Sequence, residues 1–95
     1  MAAYVIVDSI VTDPAAYEEY KRLAGVSVAA HGGRFLARGG AAEVLEGDVT
    51  PHRTVITEFP SMEAARRWYD SPEYLAARKA REGAATMTMV LVEGA

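Results

Sequence analysis

Two short runs near the ends of the chain, YVIV at residues 4–7 and MVLV at residues 89–92, are apolar at every position. A strand in a sheet that is covered by helices on one face alternates between apolar and polar residues, because every second side chain meets water. Runs without that alternation predict a sheet whose two faces are both covered. The chain has no helix to spare for the second face. We therefore expect this face to pack on the same face of another copy and to form a homodimer.

Turn residues and helix caps divide the sequence into strands and helices. Strands are predicted at residues 4–11, 34–38, 53–59 and 86–93, with a short additional edge strand at 42–46, and helices at residues 14–31 and from Ser61 to about residue 82. A cap followed by proline starts the first helix at Asp13-Pro14, and Gly32-Gly33 end it. The same start pattern at Ser71-Pro72 predicts that the second helix is broken into two pieces. The order β-α-β-β-α-β predicts an α+β, ferredoxin-like domain with an antiparallel sheet.

The composition limits the size of the domain and the kinds of partner. A chain of 95 residues has room for a single domain, residues 1–95. It contains no cysteine, which excludes disulfides, thiol nucleophiles and zinc-thiolate sites. A formal net charge of −3 with scattered Lys and Arg argues against nucleic-acid binding. No run approaches the roughly 18 apolar residues of a membrane span and no basic segment precedes the first run, so we expect no membrane association and a cytoplasmic location.

Four motifs, taken together and in order, resemble one known family. They are HGGRFLARGG at residues 31–40, LEGD at 45–48, EFPS at 58–61 and WYDSPEY at 68–74. The chain resembles the family called domain of unknown function 1330 over almost its whole length. The resemblance implies a ferredoxin-like protomer of the dimeric α+β barrel superfamily, whose relatives include cofactor-free monooxygenases, cyclases and proteins without an assigned activity. It brings no accepted catalytic mechanism.

His31 is a candidate for acid–base catalysis. It stands at the predicted end of the first helix, where the helix dipole favours its charged form and where an imidazole can serve as a general base. The alternative is structural, because a histidine in the last turn of a helix often only caps carbonyl groups.

Glu58 is the second candidate for acid–base catalysis. Strand alternation does not say whether its side chain lies inside the protein or in water. An inward carboxylate would have a raised pKa and could carry a proton. The alternative is an ion pair with Arg34, Arg38 or Arg53, and Asp8 allows the same two interpretations.

Arg34 and Arg38 are the candidate anion-binding pair. Their even spacing on the predicted strand places both on the same sheet face as Leu36, where a guanidinium could hold a carboxylate through two hydrogen bonds. The alternative is that they form surface ion pairs or line a contact between subunits.

Aromatic residues surround the predicted helix break. Trp68, the only tryptophan, is expected to anchor the core. Tyr69 and Tyr74 lie on either side of the break and are candidates for the mouth of a ligand pocket, because a broken helix leaves free amide groups that can bind an anion. The alternative is that the break only follows a twisted sheet. Arg78 and Arg81 either extend a positive field near this site or are solvated.

Motifs that are specific to a nucleotide, a metal ion or a serine nucleophile are missing. The two glycine pairs match neither a dinucleotide fingerprint nor a phosphate loop. His31 and His52 have no carboxylate at a ligand spacing, so no metal site is expected. The serines sit in no nucleophile-elbow pattern. The sequence therefore predicts no cofactor.

Three functions remain open. The first is a protein that binds a small acidic or aromatic metabolite between helices and sheet, using Arg34 or Arg38 for the acidic end. The second is a cofactor-independent enzyme of monooxygenase, cyclase or isomerase type, with His31 or Glu58 as the acid or base. The third is a dimer whose role is interaction only.

Overall fold

Strands and helices follow one another in the order β-α-β-β-α-α-β in the computed structural model, which describes all 95 residues. The elements are β1 (Ala3–Val11), α1 (Pro14–Ala30), β2 (Arg34–Arg38), β3 (Arg53–Phe59), α2 (Met62–Tyr69), α3 (Pro72–Ala80) and β4 (Ala85–Glu93). The four strands form one antiparallel sheet in the order β2-β3-β1-β4. This arrangement confirms the predicted α+β, ferredoxin-like fold. None of the helices combines the length and the apolar character that crossing a membrane requires.

The ends of α1 follow from its capping residues. The Asp13 side chain accepts a hydrogen bond from the Ala16 amide at 3.2 Å, and Pro14 occupies the first turn. After the helix, Gly32 has a φ of +73°, a conformation that other residues rarely adopt. A Cβ on Gly33 would lie 2.6 Å from the Phe59 ring, so no side chain fits there.

The predicted break in the second helix is confirmed at Ser71-Pro72. The Ser71 hydroxyl donates to the Trp68 carbonyl of α2 at 2.7 Å and accepts from the Tyr74 amide of α3 at 3.2 Å. One side chain therefore closes α2 and opens α3, and Pro72 takes the first position of α3, where its missing N–H has no helical partner.

The two faces of the sheet have different surroundings. Val5 and Val7 of β1 are buried under the helices, whereas the intervening Ile6 remains 42% exposed on the other face. The helix-covered face and the three helices enclose the core, which consists of Val5, Val7, Tyr17, Tyr20, Ala24, Val28, Val55, Phe59, Ala64, Ala65, Trp68, Tyr74 and Ala77. The other side, which we call the open face, presents apolar residues to solvent in the single chain: Ile6, Ile10, Val90 and Val92.

The predicted edge strand at residues 42–46 is wrong. Residues 40–52 contain no strand or helix and join β2 to β3 as one long loop. Their β-compatible residues have no neighbouring strand to pair with in the sheet, because the edge of β2 is not extended by a further ladder.

A β-bulge in β2 overturns the prediction that Arg34 and Arg38 share a sheet face. The paired residues are Arg34 with Glu58, Phe35 with Thr57, Ala37 with Ile56 and Arg38 with Val55. Leu36 is the extra residue, and one extra residue moves every later side chain to the opposite face. Arg38 consequently turns to the helix side, where its Nη2 donates to the Lys21 carbonyl of α1 at 2.7 Å. Arg34 stays on the open face.

Candidate functional site

A cleft of about 260 Å³ lies between α2 and the strands β1 and β4. It opens on the helix-covered side of the sheet. Its lining is mostly apolar and consists of Val5, Ala65, Arg66, Trp68, Tyr69, Asp70, Met89 and Leu91. The alternation of β4 brings Met89 and Leu91 to this side, and both are only partly buried by the core. A concave, apolar space with a few polar groups at its edge is typical of small-molecule sites.

Trp68 forms the rigid wall of the cleft. Its Nε1–H donates to the Ser27 hydroxyl at 3.0 Å, and that hydroxyl donates in turn to the Ala24 carbonyl at 2.7 Å. The indole also lies 4.1 Å from the Tyr74 ring and 5.0 Å from the Phe59 ring, measured between centroids. These contacts on several sides hold the indole in one orientation. Trp68 thus anchors the core, as the sequence predicts, and also faces the cleft.

Tyr69 lines the cleft, but Tyr74 does not lie at its mouth. Tyr74 is completely buried, and its hydroxyl is 2.8 Å from the hydroxyl of Tyr20. Burial raises the pKa of both phenols above their ordinary value of 10.0. The prediction that both tyrosines flank a pocket mouth fails for Tyr74, because the turn at Ser71 directs α3 inward toward α1. Tyr69 stays partly exposed, with the Arg78 guanidinium 4.4 Å from its ring centroid.

Two charged side chains stand at the rim of the cleft. Arg66 and Asp70 belong to its lining, and neither takes part in a salt bridge. The cleft therefore offers one guanidinium and one carboxylate to a bound molecule. Sequence reasoning missed both residues, although their spacing of four places them on one side of α2 and next to Trp68-Tyr69.

Arg38 belongs to a different and much smaller space. It lines a cavity of about 30 Å³ under α1, together with Arg53 and Tyr17. This volume suits about one water molecule, not a metabolite. Arg38 also lies with its guanidinium carbon 4.0 Å from the Phe35 ring centroid, so its side chain covers the core edge.

Arg34 and Glu58 form an ion pair on the open face. Arg34 Nε donates to Glu58 Oε1 at 2.6 Å, across the strand pair that aligns the two residues. Asp8 lies on the same face. Its two carboxylate oxygens meet the backbone N–H and the ring Nδ1 of His52, each at 2.9 Å. These hydrogen bonds, the backbone one above all, lower the pKa of the Asp8 carboxyl.

His31 lies at the end of α1, away from the cleft. Its backbone N–H bonds to carbonyl groups of the last turn, so the main chain closes the helix. The ring Nε2 lies 3.5 Å from Glu73 Oε1, is buried, and has no hydrogen-bond partner. The structure therefore brings none of His31, Glu58, Arg34 and Arg38 into the cleft. Of the six residues predicted for a site, only Tyr69 is there.

Comparison with known proteins gives one family and a set of similar folds. The family model described as Domain of unknown function (DUF1330) matches residues 2–95 of the chain. No curated protein matches the sequence.

Three solved structures that are similar to the chain are distant from it in sequence. RPA0582, a protein of unknown function from Rhodopseudomonas palustris, is 22% identical with a TM-score of 0.75, over 99% of this chain and 82% of that one. A dimeric ferredoxin-like protein of unknown function from Thermobifida fusca is 16% identical with a TM-score of 0.66, over 99% and 92%. SnoaB, a cofactor-independent oxygenase from Streptomyces nogalater, is 16% identical with a TM-score of 0.67, over 99% and 93%. These similarities support the ferredoxin-like fold.

Proposed function

This chain belongs to the family described as Domain of unknown function (DUF1330), and we propose that it binds a small aromatic compound with an acidic group in the cleft beside α2. The observation that carries this proposal is the lining itself, in which Trp68, Tyr69, Met89 and Leu91 surround about 260 Å³. Ligand sites usually measure about 300 Å³ or more, so this one suits a compound with one or two rings.

The charged residues at the rim of the cleft are the reason for proposing an acidic group on the ligand. Arg66 has no carboxylate partner within the protein, and a guanidinium can hold a carboxylate through two parallel hydrogen bonds. Arg78 adds positive charge behind the Tyr69 ring. In this proposal Arg66 takes the place of Arg34 and Arg38, the cations that the sequence suggests for the acidic end of the ligand.

The single tryptophan makes this proposal directly measurable. Trp68 lines the cleft and is the only tryptophan in the chain, so its fluorescence responds to a molecule bound there, and the small cavity under α1 that it also lines is too small for a metabolite. We expect benzoate or phenylacetate to change the emission in a saturable way. Their neutral amides should bind about tenfold more weakly, and Arg66→Gln should remove this difference.

A matched pair of variants tests the location. Leu91→Phe fills the cleft and should abolish the response, whereas Leu75→Phe makes the same substitution at an exposed position outside the cleft and should leave it intact. No saturable response with any aromatic acid, or an unchanged response in Leu91→Phe, would refute binding at this site.

A second candidate function is cofactor-independent proton transfer in the same cleft. SnoaB, which has a similar fold, is a cofactor-independent oxygenase. Asp70 is the one carboxylate in the lining and can accept a proton from a bound compound, whereas His31 and Glu58 lie elsewhere. Benzoylacetone tests this role, because the C–H between its two carbonyl groups is acidic enough for a carboxylate base, and NMR follows its exchange with deuterium above the rate in buffer alone. Exchange that persists in Asp70→Asn argues against it.

We also infer that the chain forms a homodimer through the open face. Ile6, Ile10, Val90 and Val92 are exposed there in the single chain, and apolar surfaces of this kind usually meet a partner. The similar protein from Thermobifida fusca is dimeric. If no ligand binds, this dimer remains as an interaction-only role.

A further inference from the structure

The loop between β2 and β3 carries the most exposed apolar side chain among the larger hydrophobic residues. Residues 40–52 form this loop and have no helix or strand of their own. Leu45 is 90% exposed, and Val44 and Val49 are also exposed. Loops of about 12 residues or more without secondary structure are uncommon in compact domains and usually serve a function. Three apolar side chains on one such loop indicate a contact outside the single chain.

Hydrogen bonds hold both ends of the loop to the sheet. On the β2 side, the Gly39 N–H donates to the Thr54 carbonyl at 2.9 Å. On the β3 side, His52 is bound to both oxygens of Asp8, whose side chain lies on the open face. The loop therefore leaves the sheet at the end of the open face that carries Ile10. These anchors fix the two ends of the loop and place its β3 end beside the open face.

We propose that this loop is an arm that binds a second copy of the chain, with Leu45 and Val49 buried against the partner. The inference rests on the proposed dimer through the open face and extends it. A second copy is the occupant we choose because one end of the arm is bonded to Asp8 on the open face, whose apolar residues are exposed in the single chain.

Charge supports the same occupant. The arm contains Glu43, Glu46 and Asp48 but no Lys or Arg. Arg34 on the open face is bonded to Glu58 through Nε only, and its side chain remains 71% exposed, so its terminal nitrogens are free for a second carboxylate. Arg34 lies at the opposite end of the sheet from the arm. A two-fold axis perpendicular to the strands would lay the arm of one copy over the Arg34 end of the other.

The absence of cysteine makes a clean labelling experiment possible. Leu45→Cys and Val26→Cys each place one thiol at an exposed apolar position, the first on the arm and the second on the outer side of α1. The rate of reaction with a small maleimide is measured across protein concentrations from mostly monomer to mostly dimer, as established by sedimentation. We expect Leu45→Cys to react about tenfold more slowly in the dimer, because it then reacts only through the dissociated chain, and Val26→Cys to react at a constant rate.

Every other outcome contradicts the inference, and the outcomes differ in whether the proposed dimer still stands. If dimers form and Leu45→Cys reacts at a constant rate, the arm does not bind the partner and the proposed dimer still stands. Protection of Leu45→Cys at every concentration would mean that the loop folds back on its own chain. If no dimer forms at any concentration, both the arm and the proposed dimer are wrong.

Discussion

At the scale of single residues, the paired hydroxyls of Tyr20 and Tyr74 connect α1 to α3 at a point that water barely reaches. Burial is the main cause that raises the pKa of each phenol above the ordinary value of 10.0. The folded chain thus holds these protons more tightly than the unfolded chain does. Their contribution to stability is complete below pH 10 and is lost as the pH rises further.

Removing one hydroxyl of this pair should lower the free energy of unfolding by more than half of the loss that removing both causes. Tyr20→Phe or Tyr74→Phe leaves a buried hydroxyl without a partner, which lowers the free energy of unfolding by about 1–3 kcal/mol. The double variant leaves no orphan, so its loss should be smaller than the sum of the two single losses. Denaturant unfolding of the four proteins measures this. Strictly additive losses would show that the hydrogen bond contributes nothing.

The Asp8–His52 contact should appear in the acid stability of the protein. The hydrogen bonds from His52 hold the pKa of Asp8 below the reference value of 3.8. Their contribution is present above pH 3.8 and is lost as the pH falls through the lower pKa of the folded state, because the unfolded chain binds the proton first. We therefore expect the Asp8→Asn variant to lose less stability than the wild type on acidification below this pH. Equal slopes of unfolding free energy against pH for the two proteins would contradict this expectation. Glu19→Gln, which removes the similar contact with Arg22 on α1, serves as the comparison.

Alternation along a strand groups side chains, but it does not identify their partners. The sequence does not decide which sheet face Asp8 and Glu58 occupy. It does indicate Arg34 as one of the possible partners of Glu58. The structure has that ion pair. His52 as the partner of Asp8 depends on how residues 40–52 return to the sheet, which no local pattern encodes.

At the scale of elements, Ser71 has a larger role than an ordinary helix cap. It bonds to the last turn of α2 and to the first turn of α3 from a buried position. We expect Ser71→Ala to lower the free energy of unfolding by about 1–2 kcal/mol. Ser61→Ala is the matched control, since Ser61 caps α2 through one bond, from the Ala64 amide, and should cost less. Thermal or denaturant unfolding measures the loss of stability in both variants. Equal losses would mean that the second bond of Ser71 has no effect.

Element types were predictable because caps, glycines and apolar spacing act locally. All seven observed elements were placed within two residues or so by these signals, α3 being the least accurate, and the strand expected at 42–46 is an eighth element that the structure does not have. The bulge at Leu36 has no such signal, since its sequence RFLAR reads as a regular strand. Pairing with β3 creates the bulge, and it changes the role assigned to Arg38 completely. A pocket between helices and sheet was expected from the sequence. The charged residues that line it were not, because they depend on where α2 ends.

At the scale of the whole molecule, one layer of helices on one sheet leaves half of the sheet surface without cover. We expect the melting temperature of the wild type to rise with protein concentration, because a dimer is stabilised by mass action. Ile6→Lys places a charge in the middle of the open face and should yield a monomer whose melting temperature does not depend on concentration. Val26→Lys, at an exposed position on α1, is the control and should behave as the wild type does. A melting temperature of the wild type that is independent of concentration would speak against the dimer.

The central strand β1 serves both surfaces of the molecule. Val5 belongs to the cleft, while its neighbour Ile6 belongs to the open face. A substitution at one position of this strand therefore changes the cleft or the open face but not both, so the proposed ligand site and the proposed dimer surface can be varied separately. Insertion or deletion of one residue within it would exchange the two sets of side chains at once. Over its nine residues, β1 can thus vary in composition, whereas a change in its length would alter the cleft and the open face together.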